Sequence, residues 1–104
     1  MKDWNTEELE EVLASGAFVF LKLWKRGCGS CKLSKPALEK IEEKNSYPLI
    51  FGQMNTDDFP EILELAETEV LPVFFLFKNK KMMGKSIGFK GQAKLQEFID
   101  QHAV

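Results

Sequence analysis

Apolar and polar positions along the chain alternate between a helical period and near-continuous apolar runs. Leu9, Val12 and Leu13 recur at i, i+3 and i+4 behind Asn5-Thr6-Glu7-Glu8, the stripe of an amphipathic helix. Asn5 supplies a cap, Glu8 the return partner of a capping box, and Gly16 the stop, so a helix is predicted from about Thr6 to Ser15. Ala17 to Trp24 reads Ala-Phe-Val-Phe-Leu-Lys-Leu-Trp, apolar nearly throughout, as in a strand covered on both faces. Lys22 is the one misfit. A second helix is predicted from about Cys28 to Lys44, with Leu33, Leu38 and Ile41 on one face and a kink at Pro36. The turn Asn45-Ser46-Tyr47-Pro48 leads into a strand from Leu49 to Met54. Asp57-Asp58-Phe59-Pro60-Glu61 reads as a helix start with an acidic cap and a first-turn proline, the helix continuing to about Glu67. Val73 to Phe77 reads as a buried strand and Lys78-Asn79-Lys80-Lys81 as a turn. Met82 to Gly88 suits an edge strand, its Met82 and Met83 read as packing residues. Gln92 to Gln101, with Leu95, Phe98 and Ile99 at i, i+3 and i+4, is a final helix.

The predicted order is α-β-α-β-α-β-β-α. Alternating units at the front imply parallel strands joined by right-handed crossovers, and the closing strand pair implies an antiparallel hairpin. The expected fold class is therefore α/β, a central mixed sheet with helices on both faces, in one domain spanning residues 1–104.

Composition narrows the function classes. At 44% hydrophobic, the 104-residue chain has material for a core. Nine Phe against one Tyr make the aromatic content mostly interior. Sixteen acidic and 14 basic residues leave a net charge of -2, with no basic excess to neutralise phosphates, so no nucleic-acid partner is expected. Apolar runs such as Ala17 to Leu21 are far shorter than the roughly 20 residues of a membrane span. The polar N-terminus carries no signal-peptide pattern. A cytoplasmic protein, off the membrane and monomeric, is the expectation.

The chemistry concentrates in Trp24-Lys25-Arg26-Gly27-Cys28-Gly29-Ser30-Cys31-Lys32, which holds both cysteines. A strand here delivers a Cys-x-x-Cys pair to a helix start. Thiolate, not thiol, is the nucleophile in disulfide exchange. At Cys28 the helix dipole, free backbone N–H groups, and Lys25, Arg26, Lys32 and Lys35 all favour negative charge. Cys31, one turn on, is expected to be more buried and able to resolve a mixed disulfide. Two inert buried cysteines are the bland alternative. Structural zinc needs four ligands; one pair and His102 fall short in one chain, so neither metal nor cofactor is expected. Gly27, Gly29 and Ser30 are small enough to let a substrate backbone approach. Pro72 suits the first position of a strand; periodicity does not tell whether its peptide bond is cis.

Trp24, Cys28-Gly29-Ser30-Cys31-Lys32, Pro36, Asp57, Leu71-Pro72, the Phe77-Lys78-Asn79 turn and Gly88 together resemble the thioredoxin family, over essentially the whole chain. The resemblance implies a thioredoxin fold and thiol–disulfide exchange, with Cys28 as nucleophile and Cys31 as resolving thiol. It implies a cis Pro72, with Leu71 offering backbone hydrogen bonds to an extended substrate peptide. Trp24, Gly27, Gly29, Ser30, Gly88 and Phe89 would line the docking groove. Disulfide-containing proteins would be the substrates, and a separate reductase or a small-thiol pool would recycle the oxidised dithiol.

Three features depart from the family pattern of Trp-Cys-Gly-Pro-Cys over a buried acid. Gly27 stands for the Trp, Ser30 for the Pro, and Lys22 for the acid. Lys22 either stays charged and stabilises thiolate, is neutral and serves as a base, or packs its stem in the core while its head reaches water. The reading is a protein-disulfide reductase. The alternatives are a disulfide oxidase or isomerase, which the basic surroundings of Cys28 favour, and a binding module whose dithiol is secondary.

Overall fold

Two-sided burial of the segment Phe18–Trp24 organises the molecule. A computed structural model describes residues 1–103. Its strands are β1 (Lys2–Asp3), β2 (Phe18–Trp24), β3 (Leu49–Asn55), β4 (Val73–Lys78) and β5 (Lys81–Ile87), and they form one sheet of order β1-β3-β2-β4-β5. β2 lies parallel to β3 and antiparallel to β4, β1 is parallel to β3, and β4 and β5 form the antiparallel hairpin. The sheet is mixed, as the order of elements predicts.

Alternation along β2 then builds two cores. Val19, Leu21 and Leu23 face one side with Trp4, Leu9, Ala66, Val73, Phe75 and Phe77, under α1 (Thr6–Ala14) and α3 (Leu63–Ala66). Phe18 and Phe20 face the other with Leu38, Ile41, Phe51, Phe74, Leu76 and Ile99, under α2 (Gly29–Lys44) and α4 (Gln92–His102). Phe20, Phe74 and Phe75 are fully buried; each contributes roughly 1.5–3 kcal/mol of transfer free energy. Period two also puts Lys22 and Trp24 on the α2 face. That registration places a lysine directly beneath the helix that carries the cysteines.

Several boundaries and roles differ from expectation. The two-residue strand β1 was not predicted; it pairs Lys2 with Gly52 and Asp3 with Gln53. Trp4, next to it, is 5% exposed and lies over Gly52, where a Cβ would collide with the indole. Leu33 was placed on the buried face of α2 but is 69% exposed. At 100° per residue it sits about 140° from Leu38. The stripe that packs is Cys31, Ser34, Leu38 and Ile41, with Ala37. Asp57 and Asp58 do not cap the third helix. That helix begins as a 3-10 turn at Pro60–Ile62, with Phe59 before it and no side-chain cap. α2 continues through Pro36 without a break. The β4–β5 turn tightens to two residues, Asn79 and Lys80, both at positive φ, the geometry that matches strand twist in hairpins. Met82 and Met83 are 41% and 43% exposed on the edge strand rather than packed.

Candidate active site

The end of β2 and the start of α2 bring the two cysteines together. Cys28 is the N-cap of α2 in extended conformation, and the Cys31 N–H donates to its sulfur at 3.2 Å. The side chains of Cys28 and Cys31 are joined in a disulfide, with Cα atoms 5.3 Å apart. Cys31 is 3% exposed, one turn into the helix on its buried stripe, whereas Cys28 is only partly buried. The first turn of α2 carries no acidic residue, so its N-terminal partial charge acts on Cys28 unopposed.

The approach loop is held from outside the motif. The Arg26 N–H donates to Asp57 Oδ2 at 3.1 Å, and the Arg26 guanidinium pairs with Asp58 at 3.3 Å. This revises the charge picture. Of the four cations expected to support a thiolate, Arg26 has its charge largely answered by two carboxylates, while Lys25, Lys32 and Lys35 are exposed without ion pairs among the described residues. Sequence reasoning assigned Asp57 and Asp58 to a helix cap. Their contact is long-range, and no local pattern signals it.

Lys22 does not send its head to solvent. The residue is 3% exposed, and its Nζ donates to the Cys31 carbonyl at 3.1 Å. The same carbonyl accepts the Ser34 hydroxyl at 2.7 Å. Burial lowers the Lys22 pKa from 10.5 to about 8; Lys35 pushes the same way and Glu39 opposes. At neutral pH it is therefore mostly an ammonium, held against the first turn of the helix that carries Cys31. Ser34, fully buried, had a signal in the sequence that went unused: it lies three residues after Cys31, on the same stripe.

The other predicted site residues lie at the end of β2, at the start of α2, just before β4 and just after β5. The Leu71-Pro72 bond is cis. The Leu71 carbonyl oxygen lies 3.7 Å from the Cys28 sulfur; a bonded sulfur has no proton to give, so this is proximity in the oxidised form. Pro72 is buried, and its carbonyl accepts the Gly88 N–H at 2.8 Å. Gly88 has φ +81, a conformation glycine adopts readily. Phe89 is partly buried against the α2–α4 core. Gly27, at φ +74, has open space where a Cβ would stand; its constraint is the backbone conformation rather than room. Gly29 and Ser30 are exposed at the start of α2. Trp24 closes β2 opposite Asn55, and its Nε1 is buried without an acceptor among the described residues. No group of three or more metal-ligating side chains occurs among the described residues.

Comparison with known proteins agrees with this architecture. The thioredoxin family model matches residues 1–101. A thioredoxin from Chlamydia caviae is 32% identical over 99 residues, covering 95% of each chain. One from Buchnera aphidicola subsp. Acyrthosiphon pisum is 29% identical over 102 residues, covering 98% of this chain and 93% of the relative. Among solved structures, the thioredoxin of Malassezia sympodialis superposes with a TM-score of 0.86 at 25% identity, covering 99% of this chain and 93% of that one. Plasmodium falciparum thioredoxin, at 20% identity and a TM-score of 0.88 over 99% of this chain and all of its own, shares the fold. With a bonded Cys-x-x-Cys pair at the head of a helix and a family match across nearly its whole length, the chain belongs to the thioredoxin family, and its chemistry is thiol–disulfide exchange.

Proposed function

We propose that the protein reduces the disulfides of other proteins. The observation that carries this reading is the asymmetry of the pair. Cys28 is reachable at a helix N-cap beside the Leu71 carbonyl, and Cys31 is buried behind it. In the reduced protein, Cys28 thiolate attacks one sulfur of a substrate disulfide. The substrate bond breaks, its other sulfur leaves as thiolate and takes a proton, and a mixed disulfide remains. Cys31 then loses its proton and attacks the Cys28 sulfur. The mixed disulfide breaks, the second substrate thiol leaves, and the Cys28–Cys31 bond forms. Two electrons have passed from dithiol to substrate, and a reductase or a small-thiol pool resets the pair.

Substrate docking in this reading is strand-like pairing along Leu71. Pro72 and Gly88 shape the groove floor, Gly27, Gly29 and Ser30 give clearance, and Trp24 and Phe89 supply apolar walls. Lys22 supports Cys31 by placing positive charge beneath it. The protein acts as a cytoplasmic monomer without a bound cofactor; no helix among the described residues is long and apolar enough to cross a membrane.

The test is insulin reduction driven by dithiothreitol. The protein at micromolar concentration should accelerate the appearance of insulin B-chain turbidity well beyond dithiothreitol alone. No acceleration would overturn the reading.

A further inference from the structure

We propose that a cationic cavity beside Cys31 receives a substrate carboxylate, so that the protein selects disulfides flanked by negative charge. This rests on the reductase reading and adds a substrate class to it. The cavity, about 400 Å³, opens between the end of β2, the approach loop and the first turns of α2. Lys22, Lys25, Arg26, Lys32 and Lys35 line it with Trp24, and no acidic side chain does. Its volume is in the usual range for small-molecule sites.

Charge balance favours an anion there. Arg26 is engaged by Asp57 and Asp58, but Lys25, Lys32 and Lys35 have no ion pair among the described residues. Asp3, Glu39 and Glu42 line the adjoining cavity, which shares Lys22, Lys35 and Gln53 with the first. Asp3 accepts from Gln53, and Glu42 faces the N-terminal amine at 3.4 Å; of the three, Glu39 is the one whose charge acts on Lys22. Trp24 adds a second observation. It lines the same cavity, and its Nε1–H is buried without a hydrogen-bond acceptor among the described residues. The Lys22 ammonium forms the floor, fixed on the Cys31 carbonyl. A carboxylate held here sits next to the disulfide. It could belong to a small disulfide or to an acidic side chain near a cystine in a polypeptide.

Both sources are tested with the reduced protein. One arm compares 3,3′-dithiodipropionate, bis(2-hydroxyethyl) disulfide and cystamine, which are anionic, neutral and cationic. Each rate is divided by that of dithiothreitol, because leaving-thiol acidity alone changes exchange rates. The second arm compares cystine peptides with Glu or Gln beside the cysteine. The normalised anionic-to-neutral ratio should be roughly tenfold at low ionic strength and shrink as salt screens the exposed lysines. Lys32→Gln/Lys35→Gln should cut that ratio toward one. Lys80→Gln/Lys81→Gln, the same charge change on the hairpin at the far end of the sheet, should leave it intact. Preference in the first arm alone assigns the site to small disulfides, and in the second alone to acidic polypeptide segments; either supports the proposal. Equal normalised rates in both arms, with reduction still catalysed, overturn the charge selection and leave the reductase reading standing. Failure to reduce any of these substrates, insulin included, overturns the reading beneath it.

Discussion

Replacing Cys28 with serine is expected to reduce insulin reduction to the dithiothreitol background, a loss of at least about 10³-fold, the scale on which an enzyme without its nucleophile fails. A hydroxyl at this N-cap accepts the Cys31 N–H as the sulfur does, so the fold and the start of α2 should be retained, and circular dichroism of both reduced proteins should agree. Cys31→Ser should behave differently. Cys28 still attacks, but the second thiol that resolves the adduct from within the same turn, at high effective concentration, is gone. The variant should accumulate a stoichiometric mixed disulfide on Cys28, visible as a mass increment that dithiothreitol removes. If Cys31→Ser is silent and Cys28→Ser forms the adduct, the assignment of attacking and resolving roles is reversed.

The second large effect is on stability. Lys22→Met should raise the free energy of unfolding at pH 7 by about 2 kcal/mol and the melting temperature by roughly 10 °C. The folded protein holds Lys22 at a pKa of about 8 against 10.5 when free of burial. Below pH 8 the lysine is protonated in both states, and the folded state bears the full cost of the buried charge. Between pH 8 and 10.5 the unfolded chain binds the proton and the folded chain does not, so stability rises with pH across this window. Above it the cost is gone. The interval corresponds to about 3 kcal/mol; the cavity beside the lysine and the lost hydrogen bond to Cys31 reduce the expected gain. The Cys31 carbonyl is not orphaned by the change, because Ser34 still donates to it. The advantage of the variant should therefore disappear between pH 8 and 10.5. An equal or lower stability at pH 7, or a difference independent of pH, would mean that Lys22 is not paying a desolvation cost. In the same variant the Cys31 thiol pKa should rise, since a nearby positive charge has been removed; no change would take Lys22 out of the mechanism.

Much of this was legible in the chain, for identifiable reasons. The buried strand Phe18–Trp24 and the capping box at Asn5 and Glu8 are local: each needs only neighbouring residues, and each formed as the pattern implied; the hairpin turn was read in the right place but two residues too long. Lys22 announced itself as the single charge in an apolar run, and alternation placed it under Cys31. What the pattern missed was non-local. β1 is two residues long and gains its identity from pairing with β3. Trp4 is buried because Gly52 leaves room beneath it. Asp57 and Asp58 look like cap residues beside Pro60 and instead restrain the Arg26 loop from 31 and 32 residues away. The misplacement of Leu33 has another cause. Its spacing to Leu38 was read as one face, although five residues turn a helix well past a full revolution.

Thioredoxin-like machinery with an altered immediate environment leaves the direction of electron flow as the decisive property. Lys25, Lys32, Lys35 and the helix terminus favour a thiolate and a more oxidising couple, while the Asp57–Asp58 clamp on Arg26 withdraws one of the cations that would add to this. The midpoint potential of the Cys28–Cys31 couple, obtained by equilibration in graded dithiothreitol buffers and followed by the fluorescence of Trp24 beside the disulfide, measures the balance. A value of about −270 mV is predicted for a protein that reduces its partners; a value of about −120 mV, where a dithiol pair acts as a strong oxidant, would contradict it.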